Sequence, residues 1–292
     1  LPARCVEAGQ FPGRRDIRGL NVNPIAIRYT LLWGIAIAGL VALGVYSCLA
    51  DLELERSEFI TGYTLFALLI VLALFNARKK LAMVPLVRSA YWLAIHVVGG
   101  VAAVVLFFIH TGSIWPTGAY EQALALVFYL VSISGMLGYL IQRINPKRLV
   151  QTDFEIIYER IPAELAEIRE KSEEEIRACT EETGSDTLAR HYMETMSWFF
   201  RRPRFFFNNA LGGNAGQHWL RNQYRTVNRY LNDNERAYLD RLNDLAEMKA
   251  KIDVHYACQS TMKYWLLVHL PLAAAVLGLM FWHVIVVNVY AI

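Results

Sequence analysis

Four histidines lie inside apolar stretches of this chain, and they form two pairs with one spacing. His96 and His110 are fourteen residues apart in YWLAIHVVGGVAAVVLFFIHTG, and His269 and His283 are fourteen apart in YWLLVHLPLAAAVLGLMFWHVIVV. Fourteen residues make nearly four helical turns, so each pair sits on one face with roughly 21 Å between its members along the axis. Two such helices side by side offer two imidazole pairs at two depths. That is the ligand set of two stacked haem irons, each held by a histidine on both faces. The competing reading is that intramembrane histidines hydrogen-bond within a helix bundle. Equal spacing on two helices favours ligation, because ionisable residues inside a membrane are functional by default.

The elements that must carry these histidines follow from the composition. Of 292 residues 55% are hydrophobic, and they are split between long apolar runs and one charged block. Five runs reach the roughly 20 residues a bilayer requires: 26–50, 58–77, 89–110, 119–142 and 262–288. The expected fold is all-α, a five-helix transmembrane bundle with two b haems between helices 3 and 5. The expected segments are an N-terminal stretch 1–25, helices 1–4 over 26–146, a helical insertion over 147–260, and helix 5 over 261–292. A net charge of +3 gives no reason to expect nucleic acid.

Basic residues set the orientation. Arg78, Lys79, Lys80 and Arg88 lie between helices 2 and 3, and Arg143, Lys147 and Arg148 follow helix 4. The opposite loops carry a single arginine, Arg56. The N-terminus and the insertion are therefore expected on the cytoplasmic side and the C-terminus outside. Arg14, Arg15 and Arg18 read as the basic flank of helix 1 rather than as an export signal. Helices 3 and 5 then run in the same direction, which pairs His96 with His269 and His110 with His283.

Cys5, Cys48, Cys179 and Cys258 form no C-x-x-C or C-x-x-C-H, so the expected haems are non-covalent and b-type. Cys48 and Cys258 read as buried structural thiols. Gly99, Gly100 and Gly278 lie between the paired histidines, where a haem edge or a neighbouring helix approaches closely. Gly34, Gly39 and Gly44 read as helix packing. Pro271, two residues after His269, is expected to loosen or bend helix 5.

The insertion carries amphipathic stripes: Phe154, Ile157, Ile161, Leu165 and Ile168; Leu188, Tyr192, Met196 and Phe199; Leu231, Tyr238, Leu239, Leu242, Leu245, Met248 and Ile252. They predict a helical hairpin or small bundle. Asn232 followed by Glu235 resembles a helix start, and LGGNAGQ at 211–217 a flexible turn. RRPRFFFNN at 201–209 suits anionic headgroups, a partner subunit, or a loop packed on the insertion. His191 and His218 read as surface residues.

At this point the chain resembles the dihaem cytochrome b superfamily: the cytochrome b of quinol–cytochrome c oxidoreductases, the ferric-reductase-like membrane domains, and dehydrogenase cytochrome b subunits. The fourteen-residue histidine spacing matches the first branch, but no PEWY-like quinol motif is present. FNARKK, FFIHTG and FEIIYERIPAEL resemble a bacterial branch of such membrane cytochromes. The resemblance implies a multi-pass protein of the bacterial inner membrane. It would relay electrons in a respiratory complex between the quinone pool and an iron–sulfur, flavin or c-type cytochrome subunit. The implied cofactors are two non-covalent b haems, with quinone as a further ligand. The metal ligands would be His96, His110, His269 and His283. Arg88 and Lys263, with Arg28, are candidate partners of the anionic propionates, and equally positive-inside anchors. For a quinone the candidates are Tyr91, His255, Asp253 and Lys263 on the inner side, and Tyr120 and Glu121 on the outer. No flavin or NADPH domain follows helix 5, so hydride chemistry is expected of another chain. The readings from other classes are a haem-free proton-relay transporter using the same histidines and a structural membrane anchor.

Overall fold

The computed structural model describes residues 24–53, 56–77, 89–152 and 154–290, and all regular structure among them is helical. The chain divides into two compact units, 1–114 and 115–292.

The first unit packs α1 (Pro24–Leu52), α2 (Ser57–Ala77) and α3 (Ser89–Thr111) against one another. Each carries a stretch long and apolar enough to cross a membrane: Tyr29–Ala50, Ser57–Phe75 and Tyr91–Thr111. The packed face of α3 is built from small and branched residues one turn apart, Ala94, Val98, Ala102 and Leu106, all buried. Small side chains let backbones approach, which is how helices associate where lipid removes the hydrophobic driving force. The apolar face of α1 is turned outward instead, with Ile35, Ile37 and Val41 exposed, as a lipid-facing helix requires. Cys48 is exposed on this helix, contrary to the expectation of a buried thiol. It lies on the face that a bilayer, not protein, would cover.

The second unit is organised around two long helices. α4 spans Ala119–Val150, two turns beyond the predicted end, and continues through Pro146. After a 3-10 turn at Tyr158–Arg160 come α5 (Ile161–Thr183), α6 (Thr187–His191), a π-helical turn at Tyr192–Met196, α7 (Ser197–Arg201), α8 (Phe206–Leu211) and α9 (Ala215–Val227). The final helix, α10, runs unbroken from Asp233 to Tyr290. Its 58 residues make about 87 Å of helix, nearly three times a bilayer's hydrocarbon thickness. The insertion and the fifth span therefore share one continuous rod, and the boundary predicted at 260/261 is not a break in the backbone. Nor does Pro271 interrupt it. The helix begins as the sequence suggested: the Asn232 amide donates to Glu235 Oε2 at 2.8 Å, the returning half of a capping box.

The insertion has its own core. Ile161, Leu165 and Ile168 of α5, Leu188, Tyr192, Met196, Phe199 and Phe200, and Leu239, Leu242, Ala246 and Ile252 of α10 are buried together. The predicted stripes supply most of this core, but Ile157 and Met248 are exposed. Residues 211–217 are held rather than loose: Gly212 closes α8 at φ +94°, and Gly216 is buried at the start of α9. Within 201–209, Arg204 stacks on Trp198 and Asn209 is buried, while Phe207 projects outward. Cys258 is buried as expected. His218 is exposed, whereas His191 is half-buried, and burial pulls its imidazole below the usual range.

Candidate functional site

In the first unit α2 and α3 run antiparallel in a constant register, which places a residue of α2 beside each histidine. The Phe75 ring lies tilted against His96, with centroids 4.8 Å apart and planes at 32°. Leu72 lies against Gly99, where a Cβ would meet it at 2.9 Å. Thr61 Oγ1 sits 3.2 Å from His110 Nδ1. The Thr61 hydroxyl also lies 3.1 Å from the Ser57 carbonyl, which can only accept. The hydroxyl proton goes there, so Thr61 accepts from His110 Nδ1–H and the lone pair is left on Nε2. A neighbouring glycine makes this seat: a Cβ on Gly62 would fall 2.8 Å from His110 Cε1.

The second unit repeats the arrangement with different side chains. α4 and α10 are antiparallel, and each step down one matches a step up the other. Asn145 Nδ2 donates to the Cys258 carbonyl at 3.1 Å. Further along, Trp265 Nε1 donates to the Ser134 carbonyl at 2.7 Å, and Ser134 Oγ lies 3.3 Å from His269 Nδ1. Trp265 also stacks on His269, with centroids 5.2 Å apart and planes at 24°. At the far end Tyr120 stacks on His283 and its hydroxyl donates to the Leu279 carbonyl. Gly138 and Gly135 make room for the Trp265 and His269 rings.

All four histidines are half-buried, each seated against the helix antiparallel to its own. A hydroxyl that accepts from Nδ1–H, as Thr61 does at His110, leaves the Nε2 lone pair for a metal and fixes the ring plane, as outer partners of ligating imidazoles do. The residues present therefore fit axial ligation of haem iron, with His110 and His269 the most completely oriented. No group of three His, Cys, Asp or Glu side chains among the described residues is arranged to hold a metal ion. Ligation by two histidines per iron does not need one. Of the glycines between the histidines, Gly99 serves helix packing, while Gly100 and Gly278 have no described atom within 4 Å of a built Cβ.

The remaining candidates fall in different places. Arg88 lies outside the described residues, as does the side chain of Arg28. Lys263 is exposed, forms an ion pair with Glu159 at 3.0 Å and lies over the Tyr158 ring. Tyr91 is half-buried and the Glu121 carboxylate folds back over Gly118. Asp253 is fully buried and paired with Lys249 at 2.6 Å. Burial pushes the Asp253 carboxyl up to about 7 and the Lys249 ammonium down to about 8, each opposed by the other's charge. Lys249 also lies over Phe199 and donates to the Arg202 carbonyl. That pair was not singled out from sequence, although Leu242, Ala246, Lys249 and Asp253 continue one buried stripe. His255 is buried, with Nε2 2.8 Å from Thr152 Oγ1. The hydroxyls of Thr61 and Ser134 gave no sequence signal, since nothing but packing brings them to an imidazole.

No known family's sequence profile matches this chain, and neither a curated protein nor a solved structure matches it.

Proposed function

We propose that this chain is a membrane-bound dihaem cytochrome b subunit that relays electrons across the bilayer between the quinone pool and a redox partner. The observation that carries the reading is the recurrence of one design in two separate helix pairs. Each presents two histidines fourteen residues apart on a membrane-length helix. In each, one imidazole has its Nδ1 beside a hydroxyl of the adjoining helix, Thr61 for His110 and Ser134 for His269. Structural histidines in a bundle have no reason to repeat both the spacing and the partner.

Bound haem supplies a one-electron couple at each of two depths. The chain's own residues hold the ligands still. Thr61 and Gly62 seat His110, Trp265 and Ser134 fix His269, Tyr120 lies along His283, and Phe75 along His96. The proposed pairing remains His96 with His269 and His110 with His283, and Arg88 and Lys263 are the proposed partners of the anionic propionates. The proposed setting is a bacterial inner membrane with the insertion cytoplasmic, docking an iron–sulfur, flavin or c-type cytochrome partner.

The test is optical. The purified chain should show a reduced b-type spectrum with two low-spin haems. Replacing His96 or His269 should remove one component, and replacing His110 or His283 the other. A haem-free chain sinks the proposal in favour of a proton-relay transporter or an anchor. Orientation is checked by labelling Tyr230→Cys, at an insertion position 75% exposed, in sealed membranes with Cys48 replaced by serine, since Cys48 is itself exposed. Labelling from the outer face would reverse the assignment.

A further inference from the structure

α8 (Phe206–Leu211) carries two of the most exposed apolar side chains among the described residues, Phe207 at 80% and Leu211 at 90%. They are four residues apart and so share one helix face. Neither belongs to the core of the insertion.

The helix is held crosswise. Its first residue, Phe206, stands edge-on to Tyr256 of α10, with ring centroids 6.2 Å apart. Near its other end the Ala210 carbonyl accepts from Arg148 Nη1 of α4 at 3.0 Å. Arg148 and Tyr256 stand at one level of the antiparallel pair, because Asn145 bonds to Cys258 on one side of them and Thr152 to His255 on the other. α8 therefore bridges α4 and α10 instead of following either. Its six residues make about 9 Å of helix, the ordinary spacing of two packed helices. Left-handed residues turn the chain at both ends, Phe205 at φ +56° and Gly212 at φ +94°. A phenylalanine rarely adopts that conformation. Here its ring packs beside Trp198 and Trp219, and a Cβ on Gly216 would crowd it at 3.3 Å.

The level of this bridge follows from the spans. The apolar run of α4 ends at 142 and that of α10 begins at 262, each six residues from Arg148 and Tyr256. Six residues are about 9 Å of helix. Headgroups occupy roughly 5–8 Å beyond the hydrocarbon on each side, so α8 lies at the headgroup layer, within side-chain reach of it. The charge there suits anionic lipid. Arg143 and Lys147, in the last turns of α4, are exposed. No aspartate or glutamate occurs from 122 to 152 or from 195 to 232. Of the acids on the segment after α4, Glu155 is exposed and Glu159 is paired with Lys263 at 3.0 Å.

We infer that α8 is an interfacial foot: Phe207 and Leu211 insert among the headgroups of anionic phospholipid, and Arg143 and Lys147 pair with the phosphates beside it. The foot needs the bilayer of the proposed function but not its haem.

The probe is a nitroxide on Phe207→Cys or Leu211→Cys in the full chain, with Cys5 and Cys48 replaced by serine. The chain sits in nanodiscs of phosphatidylcholine mixed with phosphatidylglycerol. Depth is read as collisions with oxygen, which concentrates in lipid, relative to a nickel chelate, which stays in water. That ratio should be at least threefold higher at 207 and 211 than at Tyr230→Cys, an exposed position just before α10 begins. Leu211→Asp, a change at an exposed position, should return the label at 207 to the value at 230. Phosphatidylcholine alone should lower the ratio at 207 and 211, and Arg143→Gln with Lys147→Gln should do the same in the mixture. Water-like labels at 207 and 211, an unmoved ratio in Leu211→Asp, or indifference to phosphatidylglycerol would overturn the foot. So would labels shielded from both reagents, because protein would then cover the face. Met136→Cys, 59% exposed on α4, is read in the same discs. A lipid value there with water values at 207 and 211 removes the foot alone, and a water value there removes the membrane span of the proposed function as well.

Discussion

A single hydroxyl sets the state of the His110 imidazole. Thr61 holds His110 through Nδ1 because its own proton is taken by the Ser57 carbonyl. An Nδ1–H bond of this kind raises the basicity of Nε2 and so favours the oxidised metal. Under the proposed haem ligation, Thr61→Val should leave a low-spin spectrum but raise the midpoint potential of one component in a redox titration, and Ser134→Ala should do so for the other. An unmoved potential in both would reduce the hydroxyls to packing. Gly62→Ala tests the seat itself. Its Cβ would fall 2.8 Å from His110 Cε1, inside any allowed contact. That component should be lost or turn high-spin, with the second haem intact.

At the scale of elements, α10 decides most. One helix buries Leu242 and Ile252 in the insertion and, further on, carries His269 and His283. Its register with α4 depends on Gly138, where a Cβ would overlap the Trp265 ring at 2.0 Å. Gly138→Ala should therefore separate the two helices and lower the thermal midpoint, while Gly278→Ala, which meets no described atom, should be nearly silent. The Lys249–Asp253 pair lies on the same helix, at 0% and 2% side-chain exposure. Lys249→Met leaves a carboxylate buried without its partner and should cost about 3–5 kcal/mol. Adding Asp253→Leu should restore most of that loss. Chemical denaturation of the single and double variants reads both. A single variant as stable as the parent would contradict the burial.

For the whole molecule, the pH dependence of stability has a defined sign. Asp253 holds its proton more tightly folded, at about 7, than an ordinary carboxyl does unfolded. Its contribution is fully present below about pH 4 and is lost as pH rises through about 7. His191 and His255 run the other way, because burial lowers both. Their contribution is present above the unfolded value of about 6.5 and is lost as pH falls below it. Both histidines remain in the Lys249→Met/Asp253→Leu variant, so the comparison with the parent reads the pair, in which the Asp253 carboxyl titrates across this range while the Lys249 ammonium, at about 8, is mostly charged throughout it. The parent's advantage in thermal midpoint should grow as pH falls from 7.5 to 5. A constant difference would show that Asp253 titrates as an ordinary surface acid.

Five apolar runs, the helical insertion and the spacing of the four histidines were legible along the chain, because each is a local or periodic property of side chains. Hydrophobic length specifies a span wherever its neighbours lie, and a fourteen-residue interval specifies a shared helix face. The start of α10 at Asn232 and Glu235 was legible for the same reason, since a capping box closes within four residues. Exposure was not. Cys48 and Ile157 face outward and His191 is half-buried, because an apolar stripe does not say which of its members a neighbour will cover. Only the tertiary structure fused the insertion with the fifth span and set Thr61 beside His110 and Ser134 beside His269. Those outcomes depend on which turn of one helix meets which turn of another. That register comes from glycine-sized gaps and side-chain volumes summed over two elements, a quantity that no single stretch of sequence contains.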